Sequence, residues 1–186
     1  LGLIFGLTLP VNFNSPFQSN SLIEFWERWN ITLSRFIGDY IYQPIFRFLS
    51  RDNSNFFSNH IFSIVISMTI SGLWHGANWN FILWGLIHGV ALALNHFFKA
   101  KRFFISTPIF LKRLTLLTFL NITFVIFKNS NMDLMNKTIY YLFPLDRIFK
   151  LSSWNFNNIM SLNFISYLFF ILLILIILFT PSTLKT

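Results

Sequence analysis

His75 is the residue whose type and surroundings most clearly suggest chemistry in this sequence. It lies in the segment SGLWHGANW (residues 71–79), within a run of 46 residues, 53–98, that contains no Asp, Glu, Lys or Arg. Imidazole exchanges a proton near neutral pH, so His75 is a candidate general base. Its glycine neighbours would admit a substrate or another backbone, and its tryptophan neighbours could wall a pocket. These neighbours are Gly72, Gly76, Trp74 and Trp79. A hydrogen-bonded structural histidine is the alternative interpretation of the same pattern.

The other three histidines carry weaker signals. His88 lies between Gly85 and Gly89, and that small-residue spacing is explained by close helix packing alone, which favours a structural role. His96 is near a predicted helix end, and His60 precedes a helix in a loop rich in Asn and Ser. There is no cysteine and no His-x3-His pair, so no metal site is predicted. Phosphate-binding loops and the hydrolase nucleophile elbow are absent from the sequence too.

Residues 22–49 form an aromatic, charged segment that a simple membrane protein would not need. Read as a helix, the segment places aromatic and aliphatic residues on one face at spacings of three and four. Those residues are Phe25, Trp29, Leu33, Phe36 and Tyr40. Ser21 and Glu24 fit a capping box at its start. Its amphipathicity favours an interfacial helix, and a re-entrant element that lines a cavity inside a helix bundle is the alternative.

The elements that must position these residues are membrane helices. The uncharged run is long enough for two passes, or for one pass and a re-entrant hairpin, because one crossing needs about 20 residues. It breaks at residues 72–78, so we predict a helix or half-helix over 61–73, too short to be a secure crossing, and a fuller pass over 79–98. Residues 161–181 form the clearest apolar pass, and 114–127 a weaker one.

Composition supports the same class. The 186 residues are 54% hydrophobic, 20% aromatic and 11% charged, with a mean hydropathy of +0.59. Soluble domains average about 25% charged residues, so a disordered tail and a solvated coiled coil are excluded. The net charge of +8 is explained by cytoplasmic loops and anionic head groups rather than by nucleic acid. Five basic and no acidic residues occur over 99–113, so that loop is predicted to be cytoplasmic.

Two motifs together resemble the membrane-bound O-acyltransferase family. They are FWERWNITLSRFIGDYIYQPI (residues 25–45) and SGLWHGANWNFILWGLIHG (residues 71–89), and the likeness is strongest to the bacterial branch that acylates exported polysaccharides such as alginate. The resemblance covers residues 1–100 in motifs and the rest by hydropathy. It implies an all-α, polytopic transmembrane helix bundle with re-entrant or amphipathic helices around a central tunnel.

The resemblance also assigns site residues. His75 matches the family's histidine in its Trp-His-Gly context and is the implied general base. Asn30 matches the second family position, where this bacterial branch usually has His and many lipid- and protein-acylating members have Asn. Asn30 would donate to the oxyanion or orient the acceptor hydroxyl. Further candidates are expected to line the substrate tunnel. They are Trp26, Trp29, Asp39, Tyr40, Trp74, Trp79 and His88.

The implied reaction is direct acyl transfer, with acetyl the expected acyl group, from a cytoplasmic thioester to a hydroxyl of an exported or cell-surface glycan. The co-substrate would be acetyl-coenzyme A or an acyl carrier, with no bound cofactor and no metal. Alginate, peptidoglycan, another glycan and teichoic acid are all open as acceptors. The resemblance implies the bacterial cytoplasmic membrane and its lipids as surroundings, and the family often works with a periplasmic or extracellular partner protein.

The chain begins within a hydrophobic pattern at Leu1 and has no initiator Met. Full family members have many more transmembrane helices, so residues 1–186 are expected to be the C-terminal portion of one domain, without its N-terminal helices. Two alternatives stay open from the residues alone. A transporter or channel subunit could use His75 and the charged segment to line a pathway, and the chain could be an inactive fragment of an acyltransferase.

Overall fold

The computed structural model describes residues 5–6, 9–51, 55–99 and 106–129, and the part of the chain that it describes is helical, without a strand. A short 3₁₀ turn, Pro16–Gln18, leads into three short helices, α1 (Leu22–Arg28), α2 (Ile31–Ile37) and α3 (Gln43–Leu49), with a π-helix, Gly38–Tyr42, between the last two. Three long helices follow, α4 (Phe56–Trp74), α5 (Trp79–Phe98) and α6 (Ile109–Lys128). This confirms the predicted all-α class.

Each of the three long helices has the length and the apolar composition needed to cross a membrane. The predicted pass over 79–98 is confirmed at both ends. The prediction of a short helix over 61–73 was wrong, because α4 begins at Phe56 and is 19 residues long. The predicted pass over 114–127 likewise extends to Ile109–Lys128. The pass predicted over 161–181 lies outside the described residues.

Helices α4 and α5 form a tight antiparallel hairpin because glycines line their contact. A Cβ atom on Gly72 would collide with the carbonyl oxygen of Phe81, and one on Gly85 would collide with the carbonyl oxygen of Met68. A Cβ on Gly89 would approach Cα of Val65 to 2.9 Å. The close packing predicted from the Gly85–Gly89 spacing is therefore confirmed, and it fixes α5 against α4 at backbone distance.

The amphipathic segment is not one helix. It breaks at Asn30, whose φ of 44° and ψ of 56° are left-handed, so Phe25 is 1% exposed while Phe36 and Tyr40 are 47% and 71% exposed. The predicted single apolar face was therefore wrong. The predicted capping box is present: Ser21 Oγ accepts from the Glu24 N–H at 3.1 Å, although Glu24 Oε2 reaches back to the Asn20 N–H at 2.7 Å.

Hydrogen bonds from the segment before α1, at Asn12 and Asn14, stabilise this break. The Asn12 carbonyl oxygen accepts from the Ile31 N–H at 3.0 Å, and Asn12 Oδ1 accepts from both the N–H and the hydroxyl of Thr32, at 3.0 and 2.6 Å. The Arg28 carbonyl accepts from the Asn14 N–H at 2.9 Å. The start of α2 is thus capped by a residue that is distant in sequence, which leaves the Asn30 side chain uninvolved in capping.

Candidate active site

His75 lies at the C-terminal end of α4, where the hairpin turns. Its N–H bonds back to the Gly72 carbonyl at 3.0 Å, and the N–H of Gly76 bonds to the Leu73 carbonyl at 3.1 Å. Gly76 follows with a φ of 152°, and a Cβ there would meet the Phe81 ring at 2.8 Å. The turn therefore requires glycine at this position, and it presents the His75 imidazole at the end of the hairpin, where its side chain is partly exposed.

Aromatic rings from α5 and α6 pack against the His75 imidazole. Trp84 and Phe127 make edge contacts with it at centroid distances of 5.6 and 5.0 Å, and Phe81 lies at 6.2 Å. Trp84 and Phe127 also contact each other at 5.3 Å. We call Trp84 and Phe127 the aromatic clamp. It brings together the ends of α4, α5 and α6 around one imidazole.

The surroundings of His75 favour its neutral form. Loss of water against these rings lowers the pKa of the His75 imidazole below its ordinary value of 6.5. A neutral imidazole has an unprotonated nitrogen, which is what a general base needs at neutral pH. The site can therefore accept a proton from a hydroxyl that reaches the exposed side of the ring.

Asn30 combines an unusual backbone with an amide that has no hydrogen bond to the described residues at the start of α2. Among non-glycine residues, Asn, Asp and His are enriched in the left-handed conformation that Asn30 adopts, so the backbone alone can account for the residue type. Its side chain makes no capping hydrogen bond. The amide is therefore available to a ligand, and a purely conformational role is the structural alternative.

Trp29, the neighbour of Asn30, and His75 contact the same face of α6 about one turn apart. Trp29, the residue before Asn30, contacts Phe124 at 6.3 Å, and His75 contacts Phe127. Residues three apart on a helix share a face. No direct contact between Asn30 and His75 is present in the ranges that the structure describes, so their joint action stays a prediction.

A cavity of about 570 Å³ runs beside α4. Residues 60–71 of α4 border it, and at about 1.5 Å per residue that is a length of about 16 Å. Three aromatic side chains gather at one end: Tyr42 Oη lies 2.6 Å from His60 Nδ1, and the His60 and His96 rings are 4.8 Å apart. Ser67 and Ser71 border the other part of the cavity. Their buried hydroxyl oxygens have no hydrogen-bond partner within the described ranges.

The remaining predicted tunnel residues take different positions. Trp26 borders the cavity and also contacts Trp84 at 5.9 Å and His88 at 5.5 Å. Trp29 packs in a cluster with Phe25, stacked at 5.6 Å. The others are either exposed or fully buried. Asp39, Tyr40, Trp74 and Trp79 are exposed, and His88 is buried.

The sequence interpretation missed several residues around these features. Phe127 and Thr123 of α6 were not singled out, although Phe127 holds His75 and Thr123 Oγ1 lies 3.0 Å from His88 Nε2. The pairing of His60 with His96 was missed as well. An antiparallel hairpin with its turn at residues 75–78 brings together residues at similar separations from the turn, and that rule would have suggested the histidine pair.

Comparison with known proteins supports the motif resemblance. The family model described as the membrane-bound O-acyltransferase family matches residues 1–132. That span contains both motifs, the cavity and the aromatic clamp.

The individual relatives that this chain resembles come from bacteria. A peptidoglycan O-acetyltransferase of Helicobacter pylori is 36% identical over 137 residues, 72% of this chain and 25% of that protein. A probable alginate O-acetylase AlgI of Azotobacter vinelandii is 43% identical over 94 residues, 50% of this chain and 18% of the relative. A teichoic acid D-alanyltransferase of Streptococcus thermophilus is 34% identical over 103 residues, 53% of this chain and 24% of the relative. The chain thus spans a quarter or less of the length of each.

Proposed function

Because this chain belongs to the membrane-bound O-acyltransferase family, and is integral to a membrane, we propose that the intact protein is an O-acyltransferase acting on an exported or cell-surface polysaccharide. The observation that carries the proposal is His75 itself. A neutral-favouring imidazole, held by the aromatic clamp at the end of an apolar hairpin, lies within the matched region.

The proposed reaction is direct transfer. His75 removes the proton of an acceptor hydroxyl while that oxygen attacks the thioester carbonyl carbon. The tetrahedral intermediate then expels the thiolate, which takes the proton back from the imidazolium, so the products are an ester and a free thiol. General-base catalysis of this kind contributes about 10²–10⁴-fold. Asn30, whose amide is not used by the helix cap, would donate to the oxyanion or orient the hydroxyl.

The cavity along α4 suits the thioester donor. Its His60–His96 end adjoins the C-terminal end of α5, which leads toward the basic loop expected to be cytoplasmic, and it extends to Ser71, one helical turn before His75. The unpartnered Ser67 and Ser71 hydroxyls could bond to polar groups of a linear ligand in an otherwise apolar channel. Acetyl-coenzyme A or an acyl carrier would supply the acyl group from the cytoplasmic side.

Acetyl is the acyl group we propose, and peptidoglycan the first acceptor to test. The Helicobacter pylori relative, named for peptidoglycan O-acetylation, matches the longest stretch of this chain among the relatives compared above. The similarity to a teichoic acid D-alanyltransferase supports D-alanyl transfer as a second candidate. In either case the setting would be a bacterial cytoplasmic membrane, with a periplasmic or extracellular partner completing transfer to the polymer.

Analysis of base-labile esters in the cell envelope tests this proposal. Ester-linked groups are released by mild alkali from purified peptidoglycan and from teichoic acid, in cells with the intact gene, without it, and with His75→Ala. We expect acetate from peptidoglycan to be lost in the last two strains, whereas loss of D-alanine would support the second candidate. Unchanged esters in all strains would overturn acyl transfer and favour the transporter interpretation.

A further inference from the structure

His88 lies beneath the aromatic clamp and is fully buried at 0% exposure. Its ring contacts Trp84 at 4.6 Å, Phe119 at 5.1 Å and Trp26 at 5.5 Å. Its Nε2 lies 3.0 Å from Oγ1 of Thr123 on α6. A histidine so enclosed has no open side for a substrate, so any part it plays in the reaction must act through its neighbours.

One hydroxyl connects His88 to α6. Thr123 Oγ1 lies 3.0 Å from the Leu120 carbonyl oxygen, which can only accept, as well as 3.0 Å from His88 Nε2. Either tautomer of His88 allows a hydrogen bond between Nε2 and Oγ1: Nε2–H donates to Oγ1 when the hydroxyl bonds to Leu120, and the hydroxyl donates when Nε2 is unprotonated. Within the described residues, His88 Nδ1 and the indole N–H groups of Trp26 and Trp84 are buried without a hydrogen-bond partner, so Thr123 supplies the polar contact of the His88 ring there.

The His88–Thr123 bond lies one helical turn from the aromatic clamp on both helices. Trp84 precedes His88 by four residues on α5, and Phe127 follows Thr123 by four on α6. Residues four apart share a face, so the two clamp rings lie directly above the bonded pair. On the far side, Asn80 Nδ2 donates to the Phe127 carbonyl oxygen at 2.8 Å. The His88–Thr123 and Asn80–Phe127 hydrogen bonds therefore lie on either side of the two clamp rings.

We propose that the His88–Thr123 hydrogen bond is a positioning element for His75. It fixes the register of α5 against α6, and that register sets the separation and orientation of Trp84 and Phe127 against the imidazole. Apolar contacts alone would allow one helix to shift slightly along the other. A buried hydrogen bond opposes such a shift, because it requires a narrow range of distance and angle. His88 and Thr123 act on the reaction only through His75, so this inference rests on the proposed function.

Thr123→Val tests the proposal because valine keeps the shape of threonine and removes the hydroxyl. The assay uses isolated membranes that carry their own envelope glycan, with the intact protein, and follows label from radiolabelled acetyl-coenzyme A into base-labile esters. Since a misplacement of about 1 Å can cost 10²-fold, we expect the maximal rate per inserted protein to fall about ten-fold or more. The KM for acetyl-coenzyme A should stay within about two-fold, because the cavity is unchanged.

Two matched variants separate positioning from folding. Thr123→Ser keeps the hydroxyl and should retain at least about half the rate. Thr118→Val removes an exposed hydroxyl that donates to the Leu114 carbonyl on the same helix, and it should match the parent. In Thr123→Val a looser clamp would admit water to His75, and the pKa of the imidazole would rise toward its ordinary value. The pH at which the rate falls on acidification should therefore be higher in this variant. Loss of fold alone would not move that pH.

The outcomes are distinct. A parental rate in Thr123→Val, or equal losses in Thr123→Ser and Thr123→Val, overturns the positioning role. If His75→Ala is inactive while Thr123→Val is normal, only the positioning role fails. If His75→Ala keeps the parental rate, His75 is not the base and the positioning role fails with it, although the transfer itself still supports the proposed function; if the parent transfers no label, the proposed function fails.

Discussion

At the scale of single residues, His75 pairs an accessible ring face with an apolar backing. Trp84 and Phe127 pack against one side of the ring, and His75 is exposed among the described residues. The pH dependence of the proposed acyl transfer follows from this arrangement. Protonation of the imidazole abolishes a general base, and burial lowers the pKa of His75 below 6.5.

We therefore expect the rate to be constant at neutral pH and to fall on acidification with a midpoint below 6.5. Initial rates measured between about pH 5 and 8 would check this. A midpoint above 6.5 would mean that the protonated form is favoured at the site, contrary to the aromatic packing.

Asn30 needs a substitution that separates its backbone from its amide. Alanine strains a left-handed position by about 1–2 kcal/mol, so Asn30→Ala would lower stability whether or not the amide takes part in catalysis. Asn30→Gly keeps the conformation and removes the amide. If the amide serves the oxyanion, we expect Asn30→Gly to lower the rate about 10²-fold with little change in thermal stability.

Asn30→His provides the matched control, because histidine is also enriched at left-handed positions and is the usual residue of the bacterial branch. It should retain a stable fold and measurable transfer. Full activity in Asn30→Gly would show that the residue serves only the backbone break.

At the scale of elements, the sequence predicted regular helices better than irregular ones. The bounds of α5 followed from its apolar run and the polar turn at residues 75–78. The start of α4 was missed because Ser58, Asn59 and His60 resemble a loop. In the structure Asn59 is buried, and its amide donates to the Leu49 carbonyl at 3.1 Å.

The break at Asn30 could not be predicted from local sequence. It depends on hydrogen bonds from Asn12 and Asn14, which lie outside the amphipathic segment. The same limit applies to the site. His75 was found from its own motif, whereas Phe127 and Thr123 matter only through the packing of α6 on the hairpin.

Gly85→Ala tests the hairpin contact. The added methyl group would collide with the Met68 carbonyl oxygen, which is backbone and cannot easily move. Overpacking of this kind costs about 1–3 kcal/mol, so we expect a lower melting temperature in detergent. Gly38→Ala is the control, because an added Cβ there would meet no side chain or distant backbone of the described residues within 4 Å, and alanine there should be neutral or stabilising. Equal melting temperatures for the two variants would contradict the close approach of α4 and α5.

At the scale of the whole molecule, orientation across the membrane would decide which of the proposed substrates reaches which end of the site. The basic loop over 99–113 is expected on the cytoplasmic side. The turn that carries His75 lies at the other end of α5 and should therefore face the opposite side.

The sequence contains no cysteine, so single cysteines report topology without background. Asn78→Cys and Ser106→Cys both fall at exposed positions. A membrane-impermeant maleimide applied to intact spheroplasts should label Asn78→Cys and leave Ser106→Cys unlabelled until the membrane is permeabilised. The reverse pattern would invert the proposed directions of donor and acceptor entry.

The most direct test of acyl transfer by this family member is the passage of label from a thioester to a glycan in isolated membranes. Membranes containing the intact protein receive radiolabelled acetyl-coenzyme A, and base-labile label in the polymer fraction is measured for the parent and for His75→Ala at equal protein levels. We predict clear transfer by the parent and a fall of at least about 10²-fold in the variant. Equal transfer by both proteins would contradict the assignment of His75 as the base.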